Sequence, residues 1–390
     1  MGKKNLLLFY IGEGFVLTAY LDNSATTRPC ESAVRKMNEA VLDTWGNPSS
    51  LHKMGFDASL LLSEARKEAA KALRCEEKEI YFSTGGTASN NTAIFGCLNK
   101  KSHAGKRIVS SAIEHPSVLR CLDRLENDGF EVIRLLPSED GNISIDSISQ
   151  AIDENTVLVS LMAVNNETGC ILPFDKVKKV IRRKKSNALF HVDAVQAFGK
   201  MPVNAAFADM ITASAHKIHS VKGAGLLYVS KSVKLKPYLL GGGQENSLFS
   251  GTQNVPAIAA FGKAIEECRD IETHAQHVRK LNLYLRERLS EFENVRINSP
   301  SDALEYILNI SVLGVPSQVS VNALSERGVY VSAGSACSKG HRSDTLTSMN
   351  LDSERIDSAI RVSLSRYSSK EEIDLFISSL REISARVAGK

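Results

Sequence analysis

A lysine and an aspartate that end two strand-like runs carry the clearest chemistry in this 390-residue sequence. Lys217 stands in Ser214-Ala215-His216-Lys217, after the run Asp209-Met210-Ile211-Thr212-Ala213 and before the loop Lys222-Gly223-Ala224-Gly225. Asp193 closes the preceding run, in His191-Val192-Asp193-Ala194-Val195-Gln196. In open α/β sheets, ligands bind beyond the carboxyl ends of the strands. An amine and a carboxylate at adjacent strand ends suit pyridoxal phosphate. The amine forms a Schiff base, and the acid keeps the pyridine nitrogen protonated so that the ring accepts electrons. Taken singly, each residue reads more simply as a surface lysine or a loop aspartate.

Other strand ends add polar groups. Thr84-Gly85-Gly86-Thr87 follows the run 79–83 and opens a helical stretch from Ala88 to Leu98. Backbone N–H groups at such a helix start make a phosphate cup, although Gly-Gly is also ordinary turn chemistry. A second anion-binding candidate is Gly241-Gly242-Gly243-Gln244, followed by Ser250-Gly251-Thr252. Gly12-Glu13-Gly14 fails as a dinucleotide fingerprint, because Leu17 stands where the third glycine belongs. His115, in Glu114-His115-Pro116, can stack on a flat ring, and Asn165-Asn166-Glu167-Thr168-Gly169 ends another apolar run. Arg361 lies inside the apolar run Ile360-Arg361-Val362-Ser363 and therefore needs an anion. A substrate carboxylate held by the guanidinium fork and an internal salt bridge both satisfy that need.

Seven cysteines occur, none in a C-x-x-C pair, which argues against a disulfide framework and against a zinc ribbon or finger. Cys337 lies in Gly334-Ser335-Ala336-Cys337-Ser338-Lys339-Gly340, among small polar residues. Residues 338 to about 353 lack apolar periodicity and read as a mobile loop, so this thiol is expected to be accessible. The other six cysteines lie in or beside apolar patterns and read as structural. His274/His277 and His216/His219 are each spaced by three, but no further ligand points to a metal.

These groups need a scaffold that brings strand ends together. Strand-like runs at 79–83, 107–110, 131–135, 156–161, 188–193 and 209–213 alternate with helices, which predicts an α/β fold with a mostly parallel mixed sheet. After Pro256 a helical spacing continues to about Phe292, predicting one rod of 36 residues and roughly 50 Å. Strands at 307–312, 329–331 and 359–364 with intervening helices indicate a smaller α+β domain. Ser369 and Glu372 form a capping box for its last helix. The basic run 176–185 reads as a solvated face over Val177, Val180 and Ile181.

Composition narrows the rest. Hydrophobic residues at 43% and charged residues at 24% exclude extended disorder and collagen-like structure. A net charge of +4 gives no reason to expect direct nucleic-acid binding. Lys3-Lys4 and the run 6–11 imitate the front of a signal peptide, but the run breaks at Gly12 and no cleavage site follows. It is also too short to span a bilayer. A cytoplasmic protein without a membrane partner is expected.

Nine phrases, in order, resemble the cysteine desulfurases, pyridoxal phosphate enzymes of the class V aminotransferase group. They are Tyr20-Leu21-Asp22-Asn23-Ser24-Ala25-Thr26-Thr27, Trp45-Gly46-Asn47-Pro48-Ser49-Ser50, Glu114-His115, Asn165-Asn166-Glu167, 191–196, His216-Lys217, 241–245, Ser250-Gly251-Thr252 and 334–337. The resemblance covers about residues 19 to 385. It implies the fold type I of pyridoxal phosphate transferases, with a large cofactor domain (30–262) and a small domain (1–29 and 263–390), paired as a homodimer.

By this resemblance Lys217 is the Schiff-base lysine, Asp193 faces the pyridine nitrogen, His115 stacks on the ring and Gln196 meets the ring hydroxyl. Gly86, Thr87, Ser214 and His216 hold the phosphate, with Thr252 reaching in from a partner subunit. Asn166 and Arg361 hold the carboxylate of L-cysteine, and Cys337 receives its sulfur as a persulfide for an acceptor protein. That acceptor belongs to iron–sulfur cluster assembly or to tRNA or cofactor thiolation. Three positions depart from the family pattern: Phe249 replaces an arginine, Ala215 a glycine and Ala88 a glutamate. The chain ends without the longer tail with which some members engage an iron–sulfur scaffold. Two other readings stay open, a related lyase or aminotransferase that does not use Cys337, and a degenerate partner-binding protein.

Overall fold

The computed structural model describes residues 8–11, 14–98, 105–333 and 342–388. A hairpin of β1 (Leu8–Ile11) and β2 (Gly14–Leu17) leads to the short strand β3 (Ala19–Tyr20) and helices α1 (Glu31–Leu42) and α2 (Lys53–Leu73). There follow β4 (Ile80–Ser83), α3 (Gly86–Cys97), β5 (Arg107–Ser111), α4 (Pro116–Asn127), β6 (Glu131–Leu135) and α5 (Ile145–Ala151). Then come β7 (Thr156–Met162), α6 (Phe174–Arg183), β8 (Leu189–Asp193), β9 (Met210–Ser214) and β10 (Gly225–Val229). The last part holds α7 (Val255–Glu267), α8 (Ile271–Leu289), β11 (Val295–Ile297), β12 (Ile307–Val312), α9 (Ser317–Ser325) and β13 (Val329–Tyr330). It ends with α10 (Asp344–Ser348), α11 (Ser353–Asp357), β14 (Ala359–Ser363) and α12 (Lys370–Ala388).

Seven strands form one sheet in the order β4-β10-β9-β8-β7-β5-β6. Strands β5 to β9 pair in parallel, and β10 runs antiparallel to both its neighbours. The mostly parallel mixed sheet expected from the strand–helix alternation is therefore present. Every residue of β7 is buried, because helices cover both faces of the sheet and leave no position for a polar outward side. The two-residue period sorts the core. Ile108, Leu158 and Met210 pack toward α3 and α4, whereas Val109, Val159 and Ile211, one residue on, face the core shared with α1, α2, α6 and α7.

A second, antiparallel sheet is ordered β11-β12-β14. β3 pairs in parallel with β13, Val329 opposite Ala19, so the amino-terminal segment joins the carboxyl-terminal elements. The capping box forms: Ser369 N donates to Glu372 Oε2 at 2.9 Å and Glu372 N donates to Ser369 Oγ at 3.2 Å. Among the described residues no helix is long and apolar enough to cross a membrane.

Two expectations are corrected. The single rod is two helices, because Asp270 caps α8, its side chain accepting from Thr273 N at 3.3 Å, and Cys268 ends α7. Part of the expected loop is ordered. Ser343 and Asp352 cap α10 and α11, which bury Leu346, Met349 and Ile356 in a small cluster of their own. That cluster uses too few apolar residues to give a visible period.

Candidate active site

The carboxyl ends of five strands meet at one edge of the large sheet. β4 leads to Gly86, β5 to Glu114-His115, β7 to Asn165–Glu167, β8 to Asp193 and Gln196, and β9 to Lys217. The segment after β3 lies across this edge, and β14 brings Arg361 from the second sheet. Lys217 closes a single tight turn, Ala215–Lys217, after β9. Its Nζ donates to the carbonyls of Ser24 and Ala25, the latter at 2.8 Å.

Asp193 is 5% exposed and held from two sides. Asn90 Nδ2 donates to its Oδ2 at 2.7 Å, and Val195 N donates to its Oδ1 at 3.0 Å. Asn90 Nδ2 also donates to Ser117 Oγ at 2.8 Å, and that hydroxyl lies 2.8 Å from His115 Nδ1. His115 caps α4, its Nδ1 accepting from Ser117 N at 3.1 Å. This bond assigns the ring proton to Nε2 in the neutral form. Burial lowers the pKa of His115, Asp193 opposes that shift, and Lys217 adds to it. Burial likewise pushes Glu114 up to about 8; its Oε1 accepts from Ser111 Oγ and Met162 N, while Oε2 has no partner among the described residues.

At the other end of the site, α3 starts without a side-chain cap, leaving its first N–H groups for a ligand. A Cβ on Gly86 would lie 2.9 Å from Val195 Cγ2, so only glycine allows this close approach. Ser214 also lies beside Gly86, and Thr87 is exposed one residue further on. His216 Nδ1 lies 3.3 Å from Thr26 Oγ1, and burial together with Lys217 and Lys222 lowers its pKa to about 4.

Arg361 is 3% exposed. It donates from NH2 to Asp22 Oδ1 and from NH1 to the Asn166 carbonyl, both at 2.9 Å, while its Nε has no partner among the described residues. The internal salt bridge is therefore formed, and a buried donor is left over for a second anion. The turn carrying Asn166 needs Gly169 at φ +75°, where a Cβ would meet Ile307 at 3.0 Å. Glu167 on that turn accepts from Ser343 Oγ at 2.6 Å.

The geometry thus gathers Lys217, Asp193, His115, Gln196, Gly86, Ser214, His216, Asn166 and Arg361. Thr252 is exposed on a loop tied to β4 through Glu245, which accepts from Phe82 N, and among the described contacts it reaches none of them. Phe249 packs partly buried against the core on the α3–α4 face. Cys337 lies outside the described residues. The other six cysteines are buried or half-buried, and burial raises the pKa of Cys75, Cys97, Cys121, Cys170 and Cys268. Asn90, Asp22 and Ser24 escaped the residue-level reading. The signal for Asn90 is an asparagine pair, Asn90-Asn91, in an otherwise small and apolar helix.

Comparison with known proteins adds a family to this geometry. Residues 19–376 match the family model described as aminotransferase class V. The cysteine desulfurase IscS of Methanosarcina thermophila is 37% identical over 370 residues, covering 93% of this chain and 91% of the relative. A solved NifS-like protein superposes with a TM-score of 0.90 at 34% identity, covering 95% of this chain and 100% of its own. A second structure, titled SspA in complex with cysteine, superposes with a TM-score of 0.80 at 31% identity, covering 90% and 100%.

Proposed function

From the premise that the chain belongs to the class V aminotransferases and, among them, to the cysteine desulfurases, we propose that it removes sulfur from L-cysteine with pyridoxal phosphate bound at the Lys217 edge of the sheet. The observation that carries this reading is the convergence of Lys217, Asp193 and the uncapped start of α3 on that edge. The donor set fits the cofactor. It offers an amine, a buried carboxylate for a protonated ring nitrogen, and a Gly86 cradle with free N–H groups for a phosphate.

When bound, pyridoxal phosphate supplies an electron sink for the substrate's α-carbon. Lys217 Nζ anchors the cofactor and, once released, takes the α-proton. Asp193, oriented by Asn90 and Val195 N, holds the ring-nitrogen proton. Neutral His115 covers the ring with its Nε2–H available. Gln196 meets the ring hydroxyl. Gly86, Thr87, Ser214 and His216 bind the phosphate, joined by Thr252 of a partner subunit. Arg361 and Asn166 bind the substrate carboxylate; the unpartnered Arg361 Nε supports this.

The sulfur goes to Cys337. Its thiolate attacks the substrate sulfur, an S–S bond forms, the C–S bond breaks, and the carbon side leaves as L-alanine after protonation. An unperturbed thiol is only a few per cent thiolate at pH 7, so a base must assist or the pKa must fall. The persulfide then passes to an acceptor protein of iron–sulfur assembly or thiolation. The division into 30–262 and 1–29 with 263–390 belongs to this proposal, supported by the β3–β13 pairing. So does the homodimer, supported by exposed Trp45, Leu51, Phe56 and Leu240. A cytoplasmic location fits a thiol that must be kept reduced.

Lys217→Ala should abolish the visible absorption of the cofactor-loaded protein, and Cys337→Ser should keep it while ending alanine release from L-cysteine. Full alanine release by Cys337→Ser would favour the related lyase reading. No absorption band after cofactor addition would favour the degenerate fold.

A further inference from the structure

Lys200 is 7% exposed, at the end of the turn Gln196-Ala197-Phe198-Gly199-Lys200. A lysine this deep needs a compensating contact. The groups around it are Lys217 and Arg361, which repel its charge, and Cys268, with Arg366, His219, His274 and Tyr306 lining the same small cavity. No carboxylate lines that cavity among the described residues. The hydrogen bond it makes runs from Nζ to Gln196 Oε1 at 3.1 Å, and Nζ sits 5.8 Å from the centre of the Tyr306 ring.

That bond decides which way the Gln196 amide faces. Burial, with Lys217, lowers the pKa of Lys200 to about 7; below that value it is an ammonium group, which only donates, so the amide turns its oxygen to it. Its nitrogen then faces the site, where one N–H is taken by the Ser24 carbonyl at 3.0 Å and the second has no partner among the described residues. Both contacts require the same orientation. The Ser24 carbonyl also accepts from Lys217 Nζ, so Lys200, Gln196, Ser24 and Lys217 form one hydrogen-bonded chain.

We propose that Lys200 is a positioning residue that locks the Gln196 amide with its N–H toward the cofactor's ring hydroxyl. This rests on the pyridoxal phosphate reading above. Without Lys200 only the Ser24 carbonyl holds the amide in this orientation, and an amide that turns presents an acceptor to an oxygen that is itself an acceptor. A donor to the ring oxygen stabilises its negative charge most when the nitrogen joining Lys217 to the cofactor is unprotonated. Losing that donor therefore raises the pH at which this nitrogen gives up its proton.

The test is a pH titration of the visible absorption of the cofactor-loaded enzyme. Lys200→Met should raise the midpoint by roughly one pH unit, the size of one lost hydrogen bond, as Gln196→Ala does. The double variant should match Gln196→Ala alone, since Lys200 acts through Gln196. Lys200→Arg, which like lysine only donates, should keep the original midpoint. Lys200→Leu gives the same reading if the methionine variant does not fold. An unchanged midpoint in the apolar variants, shifts that add in the double variant, or a shifted midpoint in the arginine variant would overturn the proposal. A protein with no band at all after cofactor addition would instead overturn the functional reading.

Discussion

Asn90 holds two of the residues proposed to meet the cofactor. It fixes Asp193 at 2.7 Å and, through Ser117, the His115 ring. A hydrogen bond to a charged group contributes about 1.5–3 kcal/mol. Asn90→Ala should therefore weaken pyridoxal phosphate binding by about 10- to 100-fold, read by equilibrium titration of the apoprotein; unchanged affinity would remove Asn90 from the site. Lys217 and Asp193 were legible because they end strands, and strand ends can be read from apolar runs. Asn90 was not, since its partner lies 103 positions away and only the fold joins them. Arg361 was half legible. Its need for an anion followed from its apolar neighbours, but Asp22 as the partner did not, because that pairing spans 339 positions.

Elements were read best where a period was long and uninterrupted. Six of the seven strands of the large sheet, α4 and the capping box of α12 fall where the sequence pattern puts them, whereas β10 (Gly225–Val229) was not read as a strand. The break between α7 and α8 was missed because both helices bury a stripe whose spacing runs on across it, while the stop is a single capping side chain. Replacing that cap should cost about 1 kcal/mol. Asp270→Ala is thus expected to lower the melting temperature by about one degree, measured by thermal denaturation, with the absorption of the bound cofactor unaltered. Gly86→Ala should do the reverse. The added methyl meets Val195 at 2.9 Å in the phosphate cradle, so cofactor affinity should fall by tenfold or more. Cofactor retention equal to that of the parent protein would separate the start of α3 from phosphate binding.

The whole molecule carries a set of buried titratable groups with opposing effects on stability. Burial holds His191 and His216 down to about 4 and His219 down to about 3. Their stabilisation is present above the ordinary histidine value and is lost as pH falls toward those values. Burial raises Glu114 to about 8 and Glu372 to about 7, so their stabilisation is present at acid pH and lost as pH rises through those values. His219 has φ +68°, a conformation that asparagine accepts. His219→Asn should therefore lose less melting temperature than the parent between pH 6.5 and 5, by about two degrees, corresponding to about 2 kcal/mol. An identical acid limb would deny the histidine its role. Surface composition makes a second prediction at this scale. Trp45 is 68% and Leu240 83% exposed. Light scattering should give twice the chain mass, and Leu240→Arg with Phe56→Arg should shift it toward the monomer. The claim on which all of this converges is that sulfur leaves L-cysteine and rests on one thiol of seven. Peptide mass spectrometry after a single turnover of the cofactor-loaded enzyme with L-cysteine tests it most directly. The account predicts one added sulfur atom on the peptide containing Cys337 and none on the other cysteine peptides. Alanine released with no sulfur on that peptide, or with sulfur on a different cysteine, would contradict it.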